Sequence, residues 1–334
     1  MRKIVLITTF ALCVFSAKAQ DHMYSNFLAA PLYLNPALAG TSNSCDRLAV
    51  NYRNQYPSLR DAFVYYGVSY DRFVNKMSGG IGGMLQRSVE GNGFYNKNAF
   101  SLNYAFHGIK TRDMQLSLGV QAGVVMRSVD YSKLVFYDQI DEKLGVMPGA
   151  PSEASLPVNN NKMYPDFAVG AAFVWKRAMI GASSYHLTEP DESLINTYSK
   201  LPRRYNVHGS FNIPLSVKKN IGDPTLIPAF MINSQGLSRT ITAGLQYKVY
   251  YFNVGGWYRN AEIYNGGDAV LASFMFDMNN IYGSDSRVIF GFTYDYSLLE
   301  MTQRATGGTI EMNLIYQVQK CPNRRKKITC PVLF

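Results

Sequence analysis

Apolar and polar residues alternate along most of the chain from Arg47 onward. Leu116 and Leu118, for example, alternate with Ser117 and Gly119. A period of two residues is typical of strands whose two faces differ. About fourteen segments show this period, and no segment has a helical period long enough to predict a helix. The predicted strands lie near residues 47–55, 62–73, 79–89, 98–108, 114–128, 164–176, 178–188, 203–213, 225–235, 238–248, 250–259, 267–278, 286–297 and 307–318.

The length and faces of these segments favour a membrane barrel over a soluble β-sandwich or propeller. Most segments have about 9–12 residues, which a tilted strand needs to cross a bilayer, whereas soluble strands commonly have about 5–6. One face carries almost no charge, and the other holds Gly, Ser, Thr, Asn and Gln with scattered Arg and Asp. Tyr65-Tyr66 and Trp257-Tyr258 lie near strand ends, where aromatic girdles are expected. We therefore predict an all-β fold, a transmembrane antiparallel β-barrel of about 14 strands.

The connections agree with this topology in most places. An even barrel has both termini in the periplasm and longer loops on the outer side. Long connections follow odd strands, as at 128–164, 188–202 and 89–98. There are two exceptions: 235–238 follows an odd strand but is short, and 213–225 follows an even strand but is long. The 128–164 connection is the largest predicted external feature, and a long connection of this kind is usually functional or disordered.

The first 19 residues have the order of a secretory signal. Arg2 and Lys3 precede an apolar stretch, and Ala17-Lys18-Ala19 forms a cleavage site. The predicted mature chain begins at Gln20. The predicted organisation is a signal peptide at 1–19, an irregular periplasmic or plug segment at 20–46, a barrel at 47–318 and a basic periplasmic tail at 319–334.

The positive charge is concentrated at the two ends. The formal net charge is +10, but the signal segment and the tail account for most of it. The body is therefore nearly neutral, and no nucleic-acid partner is predicted. The basic tail is either a solvated end or a contact for anionic headgroups or an acidic partner.

The sequence contains no recognisable catalytic, cofactor-binding or metal-binding motif. The histidines of the mature chain, His22, His107, His186 and His208, have no metal-site spacing. We predict a protein that is not an enzyme and has no cofactor. Charged side chains on the polar face are expected to pair across the interior, or else to tune passage or hold a plug. These residues are Arg47, Arg53, Asp71, Arg127, Arg204 and Glu311.

Three cysteines remain after the signal segment. Barrel closure would bring Cys45, before the first strand, near Cys321, after the last, so Cys45 could pair with Cys321 or Cys330. A local Cys321–Cys330 bond is the competing prediction and is slightly favoured. The sequence does not choose between them.

The mature N-terminus resembles the opening of the PorP/SprF family. The similarity lies in DHMYSNF at 21–27, PLYLNPALAG at 31–40 and NYRNQYP at 51–57. The motif matches cover only about the first 60 residues. Over the whole chain, the length, the signal peptide and the repeated strands also resemble the family. The motif residues are Asn35, Pro36, Ala37, Gly40, Asn51, Tyr52, Arg53 and Gln55.

The resemblance implies an outer-membrane component of type IX protein secretion in Bacteroidota. Such a protein would bind, anchor or help export a cargo with a type B C-terminal sorting domain, including gliding adhesins. Its implied partners are outer-membrane lipid, the cargo and periplasmic secretion components. The alternative is a pore or transporter for small solutes. Because the 20–46 segment is apolar, we expect it to pack in or beneath the lumen and partly close it.

Overall fold

A computed structural model describes most of the chain. The described residues are 21–42, 44–59, 62–111, 113–141, 143–147, 149, 151–153, 160–194, 198–216, 224–261, 268–279, 285–298 and 300–318. The predicted signal peptide, the basic tail, Cys321 and Cys330 lie outside them. No helix in this part of the chain is long and apolar enough to cross a membrane.

Fourteen strands of the described chain form one closed antiparallel barrel, which confirms the predicted fold. Each strand pairs with its neighbours in sequence, and the last pairs with the first from Asp46↔Val318 to Gln55↔Thr309. The strands are β1 Asp46–Gln55, β2 Phe63–Val74, β3 Gly79–Glu90, β4 Tyr95–Lys110, β5 Met114–Val129, β6 Asn161–Trp175, β7 Ala178–Tyr185, β8 Arg204–Phe211, β9 Thr225–Gln235, β10 Ser238–Val249, β11 Phe252–Asn260, β12 Ala269–Asn279, β13 Ser286–Ser297 and β14 Thr309–Val318.

Helical structure is short and does not form part of the barrel wall. Two α-helices are present in the described chain, α1 Pro31–Leu34 and α2 Glu300–Thr306. The 3₁₀ turns are Phe27–Ala29, Pro36–Leu38, Asn75–Met77, Tyr131–Lys133 and Tyr137–Gln139. The long connection after β5 contains a small hairpin formed by Ile140–Asp141 and Gly145–Val146. A short stretch, Ile213–Pro214, pairs with the first residues of β9.

The two-residue period separates an apolar exterior from a polar interior. Leu118 and Val120 of β5 are about half exposed, whereas Ser117 and Gln121 of the same strand are buried. Closure leaves no unpaired strand edge, which is what a sheet in lipid requires. The prediction that both members of an adjacent aromatic pair belong to a girdle is wrong. Tyr66 and Tyr258 face outward, but Tyr65 and Trp257 are buried inside because consecutive strand residues face opposite sides.

The N-terminal segment, residues 21–42, runs through the lumen from one end to the other. We define the lower end as the one where β1 begins and β14 ends, and the upper end as the opposite one. Asp21 lies near the upper end, where it contacts Lys97 of β4. Gly40 contacts Asp71 at the lower end, and the Cys45 N–H donates to Val318. The described chain therefore begins near one end of the barrel and finishes at the other.

The interior core is formed by this segment against small and apolar side chains of the wall. Leu28, Leu34 and Leu38 are almost fully buried. They belong to a cluster with Trp257 and Leu271 of the wall. Because the apolar side chains of residues 21–42 are shielded from water here, their burial stabilises the segment inside the barrel.

Candidate functional site

The lower end of the N-terminal segment is held by a buried ion pair. Arg47 and Asp71 are 2% and 1% exposed, and Arg47 Nε donates to Asp71 Oδ1 over 2.8 Å. The remaining hydrogen bonds of the pair go to the segment. Arg47 Nη2 donates to the Leu38 carbonyl at 3.2 Å, and the Gly40 N–H donates to Asp71 at 2.7 Å. A buried ion pair is costly unless its remaining groups are satisfied, so the pair and the segment depend on each other.

Asn35 connects the middle of the segment to two strands of the wall. Its Nδ2 donates to the carbonyls of Ala171 in β6 and Ala182 in β7, at 2.9 and 3.2 Å. Its Oδ1 accepts from the Ala37 N–H at 2.9 Å and caps the 3₁₀ turn that Pro36 begins. Asn is favoured as such a cap, and proline fits the first position because its missing N–H is not needed there.

Glycines in the wall let the backbone of the segment approach closely. A Cβ at Gly119 would lie 2.2 Å from the Ala37 nitrogen, and one at Gly80 would lie 2.0 Å from the Ala39 oxygen. Gly40 itself has a φ of +65°, which most side chains disfavour. The glycine-rich stretch at 79–83 is thus a place where the segment packs closely against the wall.

Acidic groups of β13 and β14 hold the segment above its middle. The Ser25 and Asn26 N–H groups donate to the two oxygens of Glu311 at 2.6 and 3.1 Å. The Ser25 hydroxyl donates to Asp295 at 2.6 Å, and Arg53 lies 3.5 Å from both carboxylates. These contacts fix the register of the segment relative to the closing strands.

The upper end of the segment is anchored by Asp21. Its carboxylate lies 3.0 Å from Lys97 Nζ, 2.5 Å from His186 Nε2 and 3.7 Å from Arg204 Nη1. Burial would raise the pKa of Asp21, but Lys97 and His186 outweigh that effect and hold the pKa well below its usual range. Burial would likewise lower the pKa of His186, but Asp21 and Asp166 raise it to about 8. The anchor is therefore charged on both sides near neutral pH.

The last two predicted lumen charges also have partners. Arg204 lies over the rings of Tyr33 and Tyr185, 4.5 and 4.3 Å from their centres. Arg127 lies 3.1 Å from Glu192, which belongs to the connection after β7. Of the six predicted charges, Arg47 pairs with Asp71 and Arg53 with Glu311, while Arg127 and Arg204 bind other groups.

Sequence reasoning missed several charged groups of the site. Lys97, Asp166 and Asp295 lie at inward positions of their strands, so the two-residue period could have found them. The strand predicted at 178–188 ends at Tyr185 in the structure, so the period gives the wrong setting for His186. Glu192 lies farther along the connection, where no period indicates its direction.

The family-motif residues divide between the segment and the wall. In β1, Asn51 Nδ2 donates to the Ala29 carbonyl at 3.4 Å. Tyr52 faces outward, with its ring centre 5.4 Å from that of Tyr66. Gln55 accepts from Arg53 at 3.4 Å. Most of the motif thus lies at the contact between the N-terminal segment and the barrel.

Among the described residues, the upper half of the lumen contains a cavity of about 480 Å³ and a second one of about 240 Å³. Asp21 and His22 border both, so the start of the segment separates them. The larger one also has Gln86, Gln121 and Tyr65 in its wall.

Cys45 forms a disulfide. Both predicted partners, Cys321 and Cys330, lie outside the described residues, so the pairing stays a prediction. Cys45 lies beside Val318 at the seam between β1 and β14. A disulfide from Cys45 to either predicted partner would link the residues before β1 to those after β14 and hold this seam closed.

Comparison with solved structures finds a channel, a transporter and an outer membrane protein. The CymD monoaromatic hydrocarbon channel is 12% identical, with a TM-score of 0.50 over 89% of this chain and 94% of that one. The toluene transporter TodX of Pseudomonas putida is 9% identical, with a TM-score of 0.47 over 91% and 96%. Omp33 of Acinetobacter baumannii is 5% identical, with a TM-score of 0.43 over 83% and 98%. At these identities the likeness to CymD shows the fold alone.

No curated protein matches the sequence. A family model does match it, over residues 16–316, and describes a type IX secretion system membrane protein, PorP/SprF. The match spans both the N-terminal segment and the barrel. The chain therefore belongs to the PorP/SprF family of type IX secretion system membrane proteins.

Proposed function

We propose that the protein is a non-enzymatic outer-membrane component of type IX secretion that holds or receives an exported protein. The cargo would carry a type B C-terminal sorting domain, as a gliding adhesin does. Family membership supports the secretion role. Cargo, outer-membrane lipid and periplasmic secretion components are the proposed partners.

The filled lumen is the observation that carries this proposal. The N-terminal segment is bound at its lower end, middle and upper end, through Asp71, Asn35 and Asp21. A barrel whose interior is occupied along its length is suited to presenting a rigid surface, whereas a passive pore needs a continuous path. The segment therefore supports an interaction protein over an open channel.

The connection between β5 and β6 is the proposed surface for cargo. Its described part includes the small hairpin and two strongly exposed apolar side chains, Tyr137 at 92% and Leu144 at 80%. Val135, Ile140 and Val146 of the same connection are about half exposed as well. Several exposed apolar side chains in one region are typical of a surface that binds another protein. Because the connection follows an odd strand, it lies at the upper end of the barrel.

Purification from native outer membranes tests the proposal. We expect an exported protein to co-purify with the wild type in stoichiometric amount, and a Tyr137→Ser, Leu144→Ser double variant to lose it. A matched control is Leu237→Ser, which changes an 89% exposed apolar residue at another upper turn. Recovery of the barrel without any exported protein, or equal recovery of the partner with the double variant, contradicts the proposal.

A small-solute channel is the second candidate, and the two upper cavities favour it. In planar bilayers, steady ion conductance by the purified wild type without partners would support this function. We expect the wild type to show little conductance, because the segment between residues 25 and 42 is buried against the wall below the cavities.

A further inference from the structure

Two adjacent rows on the outer face of β2 to β5 differ in polarity. The row nearer the upper end consists of Tyr66, Arg87, Asn98 and Met126, which lie directly opposite one another in register. The next row toward the middle of the barrel consists of Val68, Leu85, Phe100 and Val124. Together they border a groove of about 380 Å³ on the outside of the wall.

Arg87 is exposed and is the only charged residue in these two rows. It forms no salt bridge with another described residue, whereas Arg72, also outward-facing, lies 3.3 Å from Asp46. A guanidinium facing lipid is unfavourable unless it reaches the membrane surface or an anion. An arginine in this position is therefore best satisfied by a negatively charged group at the edge of the hydrocarbon.

We propose that this groove binds one phosphate-bearing lipid of the leaflet at the upper end. Arg87 contacts the phosphate, since a guanidinium matches phosphate oxygens with two parallel N–H donors. The Asn98 side-chain amide, opposite Arg87, supplies a further donor. An acyl chain lies against Leu85, Phe100 and Val124.

The order of the two rows argues for a lipid as the occupant. The polar row lies toward the membrane surface and the apolar row toward the membrane middle, as headgroup and acyl chain are ordered in a leaflet. A partner protein would not require that order. The inference is independent of the cargo proposal, because it concerns the outer face of the wall alone.

Native mass spectrometry of the full chain in detergent tests the site, with dioleoyl phosphatidylglycerol as the probe. We expect the wild type to retain this lipid at least tenfold better than dioleoylglycerol, which has the same chains without phosphate. Arg87→Gln should lower retention about tenfold, because a charge-assisted hydrogen bond is lost. Arg87→Lys should keep part of it. Arg72→Gln is the matched control and should retain the lipid as the wild type does, since Asp46 already occupies that arginine.

Several results would overturn the proposal. These are equal retention by the wild type and Arg87→Gln, an equal loss in Arg72→Gln, and displacement of the lipid by millimolar inorganic phosphate, which would indicate a free-anion site. A membrane protein that co-purifies with the wild type but not with Arg87→Gln, while both retain the lipid, would assign the groove to a protein. Heat-dependent migration in electrophoresis verifies that each variant is folded. If Arg87→Gln does not fold, Asn98→Leu replaces it, with the same expected direction.

Discussion

At the residue scale, the N-terminal segment is held in the lumen by small residues of the wall as much as by polar ones. Asn35 and Gly119 act together, because the asparagine caps the turn at Pro36 and the glycine leaves room for the Ala37 backbone. An added methyl group at Gly119 would meet backbone atoms, which cannot rotate away as a side chain can. Overpacking at such a position is expected to be strongly destabilising.

Gly119→Ala should therefore displace the N-terminal segment. We expect a loss of about 1–3 kcal/mol in stability, visible as a lower temperature for the heat-dependent shift in electrophoresis. Protease should also cleave within residues 21–42 faster than in the wild type. The control is Gly256→Ala, where an added Cβ has no atom within 4 Å. Equal behaviour of the two variants would show that the segment does not need the close approach.

At the element scale, the N-terminal segment is held by charge at its two ends. At the upper end, His186 lies between Asp21 and Asp166, and Lys97 and Arg204 face the same carboxylate of Asp21. The pKa of His186 is raised to about 8, so its positive charge contributes to the native state. Such a contribution is present in full below the ordinary histidine pKa of about 6.5 and is lost as the pH rises through about 8.

We expect the upper anchor to loosen between about pH 6.5 and pH 8.5. The stability of the folded barrel should fall by roughly 1–2 kcal/mol across this range, from the pKa difference of His186. His186→Gln should remove this pH dependence and leave the variant near the high-pH stability of the wild type. Electrophoretic unfolding temperatures at several pH values would measure both effects. A wild-type profile that stays flat over this range would contradict the role of His186.

At the scale of the whole molecule, the N-terminal segment and the seam determine whether the barrel is closed. The segment contacts strands all round the wall, from Asp71 in β2 to Glu311 in the last strand. The seam joins β1 to β14 over ten residue pairs, from Asp46↔Val318 to Gln55↔Thr309. Both features join parts of the chain that are far apart in sequence.

Deleting residues 21–40 should open the lumen. We expect faster uptake of small solutes by vesicles that contain the variant, because the buried apolar segment no longer fills the space between the strands. A barrel with the full segment but with Gly256→Ala provides the control. Unchanged permeability in a folded deletion variant would contradict the idea that the segment closes the lumen.

The disulfide at Cys45 should link the two ends of the barrel sheet covalently at the seam between β1 and β14. Among the cysteines of the predicted mature chain, Cys321 and Cys330 are its possible partners, and peptide mapping under non-reducing conditions should find one of them linked to Cys45. Cys45→Ser should lower stability by about 2–5 kcal/mol, because a long loop is no longer closed in the unfolded chain. A Cys321–Cys330 peptide in the oxidised wild type would instead support the local bond.

The strands, their approximate limits and the closed barrel follow from the sequence alone, because the two-residue period is local and repeats in every strand. Arg47 and Glu311 could be assigned to the interior from the same period. Their partners could not, since the N–H groups of Ser25 and Asn26 lie more than 280 residues from Glu311 along the chain. The course of residues 21–42 through the lumen was decided only by the tertiary structure. It depends on the size of the closed barrel and on where glycines, charges and Asn35 come together in space, and no local pattern in the chain specifies that arrangement.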